Sequence, residues 1–143
     1  MNMHTLLVKR DPGVKLPSYA HEGDAGLDLC AAKAMTLPPG ETVMVSTGIR
    51  AAIPMGHVGL IWDRSGLATK HRLHTFAGVI DAGYRGEILV AITNFGNQPF
   101  PIEEGMRIAQ MLIQPVERVA VHEVDDLDAT ARGEGRMGST GLH

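Results

Sequence analysis

Turn-forming residues interrupt this chain roughly every eight to twelve positions, a spacing that leaves room for strands and little room for long helices. Pro12-Gly13, Pro38-Pro39-Gly40, Pro54-Met55-Gly56, Ala82-Gly83, Gly96-Asn97 and Glu104-Gly105 all read as turns. Short runs with strand character lie between them. Residues 42–49 place Val43, Val45, Thr47 and Ile49 on one face. Residues 87–95 place Ile88, Val90 and Ile92 on one face and Leu89, Ala91 and Thr93 on the other. Residues 108–113 and 116–121 are two further strand candidates. The expected fold is all-β, a sandwich or barrel. One stretch breaks the two-residue period. Ser65-Gly66-Leu67-Ala68-Thr69-Lys70-His71 predicts a single short helix of about two turns with Ser65 as its N-cap.

The chain has 143 residues, enough for one domain. Aromatic residues are only 4%, so the core must come from Val, Ile, Leu, Ala and Met. Thirteen basic against sixteen acidic residues give a net charge of -3, which speaks against a nucleic-acid binder with its basic footprint. The single cysteine, Cys30, excludes an intrachain disulfide and a cysteine-rich zinc site, and reads as a small core residue. No early apolar run suits a signal peptide or a membrane span, so a cytoplasmic setting without membrane attachment is expected. The composition changes after Val124. Residues 1–124 are expected to form the core, and 125–143, acidic and then glycine-rich, a flexible C-terminal arm of the same domain. Such an arm is either a frayed end or a lid that orders on a ligand, gripping it with Arg132, Ser139 and Thr140.

Several clusters carry possible chemistry. Asp63-Arg64-Ser65-Gly66 stands at the strand-to-helix junction, where helix-end amides, a hydroxyl and an arginine fork could hold an anion or merely cap the helix. Asp81 follows the apolar triplet Val79-Ile80 with Gly78 and precedes a tight turn. Its carboxylate is either a general base for water or the start of an Asx-turn. Tyr84, three residues on, offers a flat ring to a sugar or base. Asp24 and Asp28 present two carboxylates to a hard cation such as magnesium, or form a solvated loop. Gln110 interrupts the apolar run between Ile108 and Leu112 and needs polar partners, from a loop or a ligand. The seven histidines show no metal-binding spacing.

Taken together, these segments resemble the five ordered motifs of the homotrimeric deoxyuridine triphosphatases, the dUTPases. They are Ala25-Gly26-Leu27-Asp28-Leu29, Asp63-Arg64-Ser65-Gly66-Leu67-Ala68, the segment from Gly78 to Glu87, Gly105-Met106-Arg107-Ile108-Ala109-Gln110-Met111, and the segment from Arg132 to Gly141. The resemblance implies a jelly-roll trimer with active sites between subunits. It also implies hydrolysis of dUTP to dUMP and pyrophosphate, which keeps uracil out of DNA and supplies dUMP for thymidylate synthesis. Asp81 would activate the water that attacks the α-phosphorus. Tyr84 would pack under the deoxyribose and exclude a 2′-hydroxyl. Arg64, Ser65 and Gly66 would hold the β- and γ-phosphates, and Gln110 the α-phosphate region. Asp28 would act on Mg2+ through water. Backbone groups around Thr75, Gly78 and Val79 would read uracil. Arg132, Met137, Gly138, Ser139 and Thr140 would close over the nucleotide.

Three positions depart from the family pattern. Arg136-Met137 stands where a Gly-Phe pair is usual, Thr75 where many bacterial members carry asparagine, and Trp62-Asp63 where smaller residues precede the arginine. A dCTP deaminase of the same fold is the nearest rival, but its catalytic glutamate has no counterpart in Ile88-Leu89-Val90-Ala91-Ile92. A non-catalytic trimeric nucleotide-binding module would not need Asp81, Gln110 and Arg132, and all three are present.

Overall fold

The computed structural model describes residues 3–143. Eleven strands and one helix follow one another in the described chain, and every strand pairing is antiparallel. A four-stranded sheet is ordered β2 (Leu27–Cys30), β11 (Arg107–Pro115), β6 (His57–Trp62), β8 (Val79–Ile80). A three-stranded sheet is ordered β4 (Thr42–Ser46), β9 (Leu89–Asn94), β7 (Leu73–Phe76). Two ribbons complete the walls: β1 (Leu7–Arg10) with β5 (Ile49–Ala52), and β3 (Met35–Leu37) with β10 (Phe100–Ile102). This is the all-β architecture that the turn spacing predicts, in the jelly-roll-like form that the family resemblance implies.

The core is aliphatic, as the scarcity of aromatics requires. Leu29, Leu37, Val45, Ile49, Ile88, Val90, Ile92, Ile102, Ile108 and Met111 are all buried. The expected face of Ile88, Val90 and Ile92 points inward, although β9 begins at Leu89. Three polar residues share the interior, each with partners. Thr47 Oγ1 donates to the Ile88 carbonyl at 2.6 Å. Asn94 Nδ2 donates to the carbonyls of Leu37 (3.0 Å) and Gln98 (2.8 Å), which fastens the turn after β9. Among the described residues no buried side-chain nitrogen or oxygen lacks a partner, as a stable interior requires.

Four local expectations are corrected. Residues 42–49 are not one strand. Gly48 takes φ +65°, close against Val14, and the bend there separates β4 from β5. The helix α1 (Ser65–His71) has Arg64 as its N-cap, not Ser65, and no side chain caps it. Cys30 alternates outward beside Asp28 and is half-buried, and partial burial pushes its thiol pKa up. Residues 116–121 form no strand. Val116 N still bonds the Gly56 carbonyl (2.9 Å), and beyond it Val119 and Val121 are 80% and 90% exposed. The alternation is strand-like, but no neighbouring edge within the chain receives it. The chain thus leaves the core before the boundary expected at Val124. No helix among the described residues is long and apolar enough to cross a membrane.

Gly78 joins β7 to β8 at φ +86°, and a Cβ there would stand 2.9 Å from the Ile61 carbonyl oxygen. That oxygen belongs to the backbone and cannot swing away. Gly78→Ala is therefore expected to cost about 1–3 kcal/mol in strain. Gly66→Ala, in open space on α1, should be neutral or stabilising by up to about 1 kcal/mol. Thermal unfolding of the two variants checks the contrast, and equal melting temperatures would contradict it.

Candidate active site

Antiparallel register brings the first set of polar residues together. Gln110 on β11 lies opposite Asp28 on β2 and Trp62 on β6. Its amide Nε2 donates to the Asp63 carbonyl at 2.8 Å, so the amide braces the start of the turn into α1. Gly26 is tight against it, because any Cβ would run into Gln110 Oε1. The Asp28 carboxylate, 13% exposed, sits between Arg64 Nε (3.5 Å) and Arg107 Nε (3.3 Å). Arg64 is thereby held at the edge of a groove of about 430 Å³. Asp24, Asp28, Ser65, Gly66, Lys70 and Gln110 line it with Arg64. Cationic side chains and the open amides at the start of α1 suit a polyanion, and the arginine fork keeps unused donors for phosphate oxygens.

This donor set fits a magnesium ion that arrives with its phosphates. No group of three His, Cys, Asp or Glu among the described residues could cage a metal. Asp28, with Asp24 on the same groove, offers carboxylate oxygens and nothing softer. Magnesium commonly binds in this way, through one or two carboxylates, retained water and substrate phosphate.

The second groove, about 250 Å³, follows the hairpin after β7. Met44, Phe76, Gly78, Val79, Asp81 and Tyr84 are among its lining residues. Asp81 is exposed at the end of β8, and its carbonyl accepts the Tyr84 amide at 3.1 Å to close the turn. The Tyr84 hydroxyl donates to the Glu87 carbonyl at 2.7 Å, and the ring lies so close to Gly86 that a Cβ there would strike it. The ring is fixed at both ends and presents a flat apolar wall. The Gly78 carbonyl is already bonded to Ile61 N at 2.8 Å.

The two grooves share no lining residue. Register explains why. Ile80 pairs with Gly59, so Asp81 falls beside Val58, at the start of β6. Arg64 lies beyond the other end, past Trp62. The four steps from Val58 to Trp62 span roughly 13 Å of backbone, so Asp81 and Arg64 of one chain open onto separate grooves.

Thr75 lies outside the hairpin groove. Its amide and hydroxyl both donate to Asp63 Oδ1, at 2.6 and 2.7 Å, and His74 Nδ1 meets Asp63 Oδ2 at 2.6 Å. Burial pushes the Asp63 pKa up, but the hydrogen bonds from His74 and Thr75 outweigh it and hold the carboxyl below the ordinary range. The arm keeps to itself. Arg132 Nε donates to the Gly135 carbonyl (3.0 Å), Ser139 N to the Arg136 carbonyl (3.0 Å), and Met137 is fully exposed. Arg132, Met137, Gly138, Ser139 and Thr140 line neither groove of their own chain.

Sequence reasoning missed the Asp63 clamp, the Arg107 side of Asp28, and the placing of His21, Lys70 and His71 around the anion groove. Lys70 and His71, one turn past Arg64-Ser65-Gly66, were the readable signal; the clamp had none.

The dUTPase family model matches residues 13–141. A deoxyuridine 5'-triphosphate nucleotidohydrolase of Nocardia farcinica is 51% identical over 140 residues, which cover 96% of this chain and 85% of that protein. Its counterpart from Mycobacterium marinum is 47% identical over 151 residues, covering 100% and 98%. Among solved structures, the dUTPase of Staphylococcus bacteriophage 80alpha with dUPNHPP superposes with a TM-score of 0.92 at 30% identity, covering 98% of this chain and 100% of that one. A variant dUTPase from phage phi11 of S. aureus, described for its coordination of a structural Mg(II) ion, gives 0.81 at 28% identity, covering 86% and 98%. Five motifs in order, an aliphatic jelly roll and relatives matched over nearly their full length lead to one assignment: the chain belongs to the dUTPase family.

Proposed function

We propose that the protein hydrolyses dUTP to dUMP and pyrophosphate, at sites that each draw on more than one chain. The observation that carries the reading is the division of one chain into complementary halves: a groove lined by Arg64 and Lys70 but apart from Asp81 and Tyr84, and an apolar hairpin groove with Asp81 and Tyr84 and no cation for phosphate. A second copy supplies what the first lacks. The family resemblance makes the assembly a closed homotrimer, with three equivalent sites.

Roles follow from the residues in each half. Asp81 takes a proton from the water that attacks the α-phosphorus. Tyr84, with its hydroxyl tied to the Glu87 carbonyl, packs against the deoxyribose where a 2′-hydroxyl would clash. Val79, Gly78 and the backbone near Thr75 bound the uracil. Across the interface, Arg64, Ser65 and Gly66 grip the β- and γ-phosphates, and Gln110 lies toward the α-phosphate. Asp28 does two things: it aims Arg64, and through water it helps to hold Mg2+, which would supply charge neutralisation on the phosphates. In-line displacement at phosphorus depends on positioning and charge compensation, so these local cations matter more than the net charge of the acidic chain. The arm closes last, with Arg132, Ser139 and Thr140 on phosphate and Met137-Gly138 over the base. We place the reaction in the cytoplasm, where it removes dUTP from the DNA precursor pool and yields dUMP for thymidylate synthesis.

Incubation with each deoxynucleoside triphosphate and Mg2+ tests the reading. Release of dUMP and pyrophosphate from dUTP alone is expected, and dUTP formed from dCTP would instead mark a deaminase. Asp81→Asn should retain nucleotide affinity within a few-fold and lose turnover by at least ~10²-fold. Turnover near that of the unaltered protein would remove Asp81 from its role.

Mixing two inactive variants tests the division between chains. Asp81→Asn and Arg64→Ala homotrimers should each be nearly inactive. Co-assembled in equal amounts, they should regain activity at about a quarter of the sites, the share in which random assembly joins an intact turn to an intact hairpin. No recovery would mean that one chain completes its own site.

A further inference from the structure

We propose that Asp63 is a positioning residue: it aims the phosphate-gripping turn by fastening that turn to the strand that leads into the hairpin groove. The inference rests on the dUTP reading above and concerns a position where this chain departs from the family pattern.

The turn is lightly anchored. Helix α1 is seven residues long and has no fully buried residue; Leu67 packs partly buried against the core, and no side chain caps the helix at Arg64. Ser65 and Gly66 are exposed. Three tethers reach this turn from outside. Arg64 meets Asp28, the Asp63 carbonyl accepts from Gln110, and the Asp63 carboxylate spans to β7. The last is the most extensive. One oxygen accepts both the amide and the hydroxyl of Thr75, at 2.6 and 2.7 Å, and the other meets His74 Nδ1 at 2.6 Å. These contacts use up the Thr75 hydroxyl that would otherwise be free to face a ligand. The carboxylate is three-quarters covered and its depressed pKa keeps it ionised and accepting.

The tether also has a direction. Thr75 stands three residues before Gly78, at the entrance to the hairpin groove, whereas Asp63 stands one residue before Arg64 in the anion groove. Because the two grooves of one chain belong to different composite sites, each Asp63 links the phosphate end of one site to the base end of the next.

The test compares Asp63→Ala with Asp63→Asn in the full-length assembled protein. An asparagine amide keeps an oxygen for Thr75 and an NH2 that can donate to neutral His74, so geometry survives without charge. The first readout is the affinity for dUpNHpp divided by the affinity for dUMP, which cancels any loss of foldable protein and isolates the β- and γ-phosphate grip. The second is amide hydrogen exchange at residues 68–71, whose amides bond back to the turn from Arg64 onward, against that at 90–93 in β9. Asp63→Ala should lower the affinity ratio about tenfold and speed exchange at 68–71 about tenfold, with 90–93 unchanged. Asp63→Asn should restore both to within threefold. An unchanged ratio in Asp63→Ala, an asparagine variant as impaired as the alanine one, or exchange accelerated equally in β9 would each overturn the proposal. If the unaltered protein neither hydrolyses dUTP nor binds dUpNHpp, the functional reading fails by itself, and exchange at 68–71 still decides whether Asp63 fixes the turn.

Discussion

Strand β6 governs the placement of everything functional in this chain. It lies between β11 and β8, pairs antiparallel with both, and has a different groove near each end. Pairing with β8 draws Asp81 back to the start of β6. Pairing with β11 sets Gln110 across from Trp62, under the turn that presents Arg64. A one-residue slip of either partner would turn Gln110 or Ile80 to the other face, so the hydrogen-bond ladder specifies the chemistry as well as the fold. Gly59 shows how tightly the arrangement is built. A Cβ there would press on Ile53, Met111 and Ile80 at once, at 3.1 to 3.2 Å.

Charge is handled by local pairing. Asp28 is shared by Arg64 and Arg107, and a single carboxylate between two guanidinium groups leaves the pair net positive at the groove. This is preorganisation: Arg64 is held by Asp28 before any substrate arrives. The acidic chain as a whole would repel a polyphosphate, so capture relies on these few residues.

Much of this was legible in the sequence because local rules determined it. The turn residues marked the ends of strands, alternation named the inward face of β9, and a lone glutamine inside an apolar run pointed to a polar partner that proved to be the Asp63 carbonyl. What escaped was non-local. Residues 116–121 alternate like a strand, yet pairing needs an edge, and the chain offers them none. Ser65 is a good N-cap by type, but the backbone places Arg64 there, directly after an Asp63 bonded to Thr75 on β7. The clamp itself joins residues eleven and twelve apart in sequence, across a helix, and no periodicity encodes such a meeting. The disjointness of the two grooves came from register, which the residue pattern alone did not fix.

The exposed segment after Val116 bears on how cells handle the protein. A newly made chain carries Val119, Val121 and Leu127 in open solvent on backbone with no ladder partner. Such a stretch is a good substrate for proteases and a template for unwanted strand addition. A single cut there would part residues 125–143 from a core whose strands all end by Pro115, so a nicked chain would keep its sheets and lose its arm.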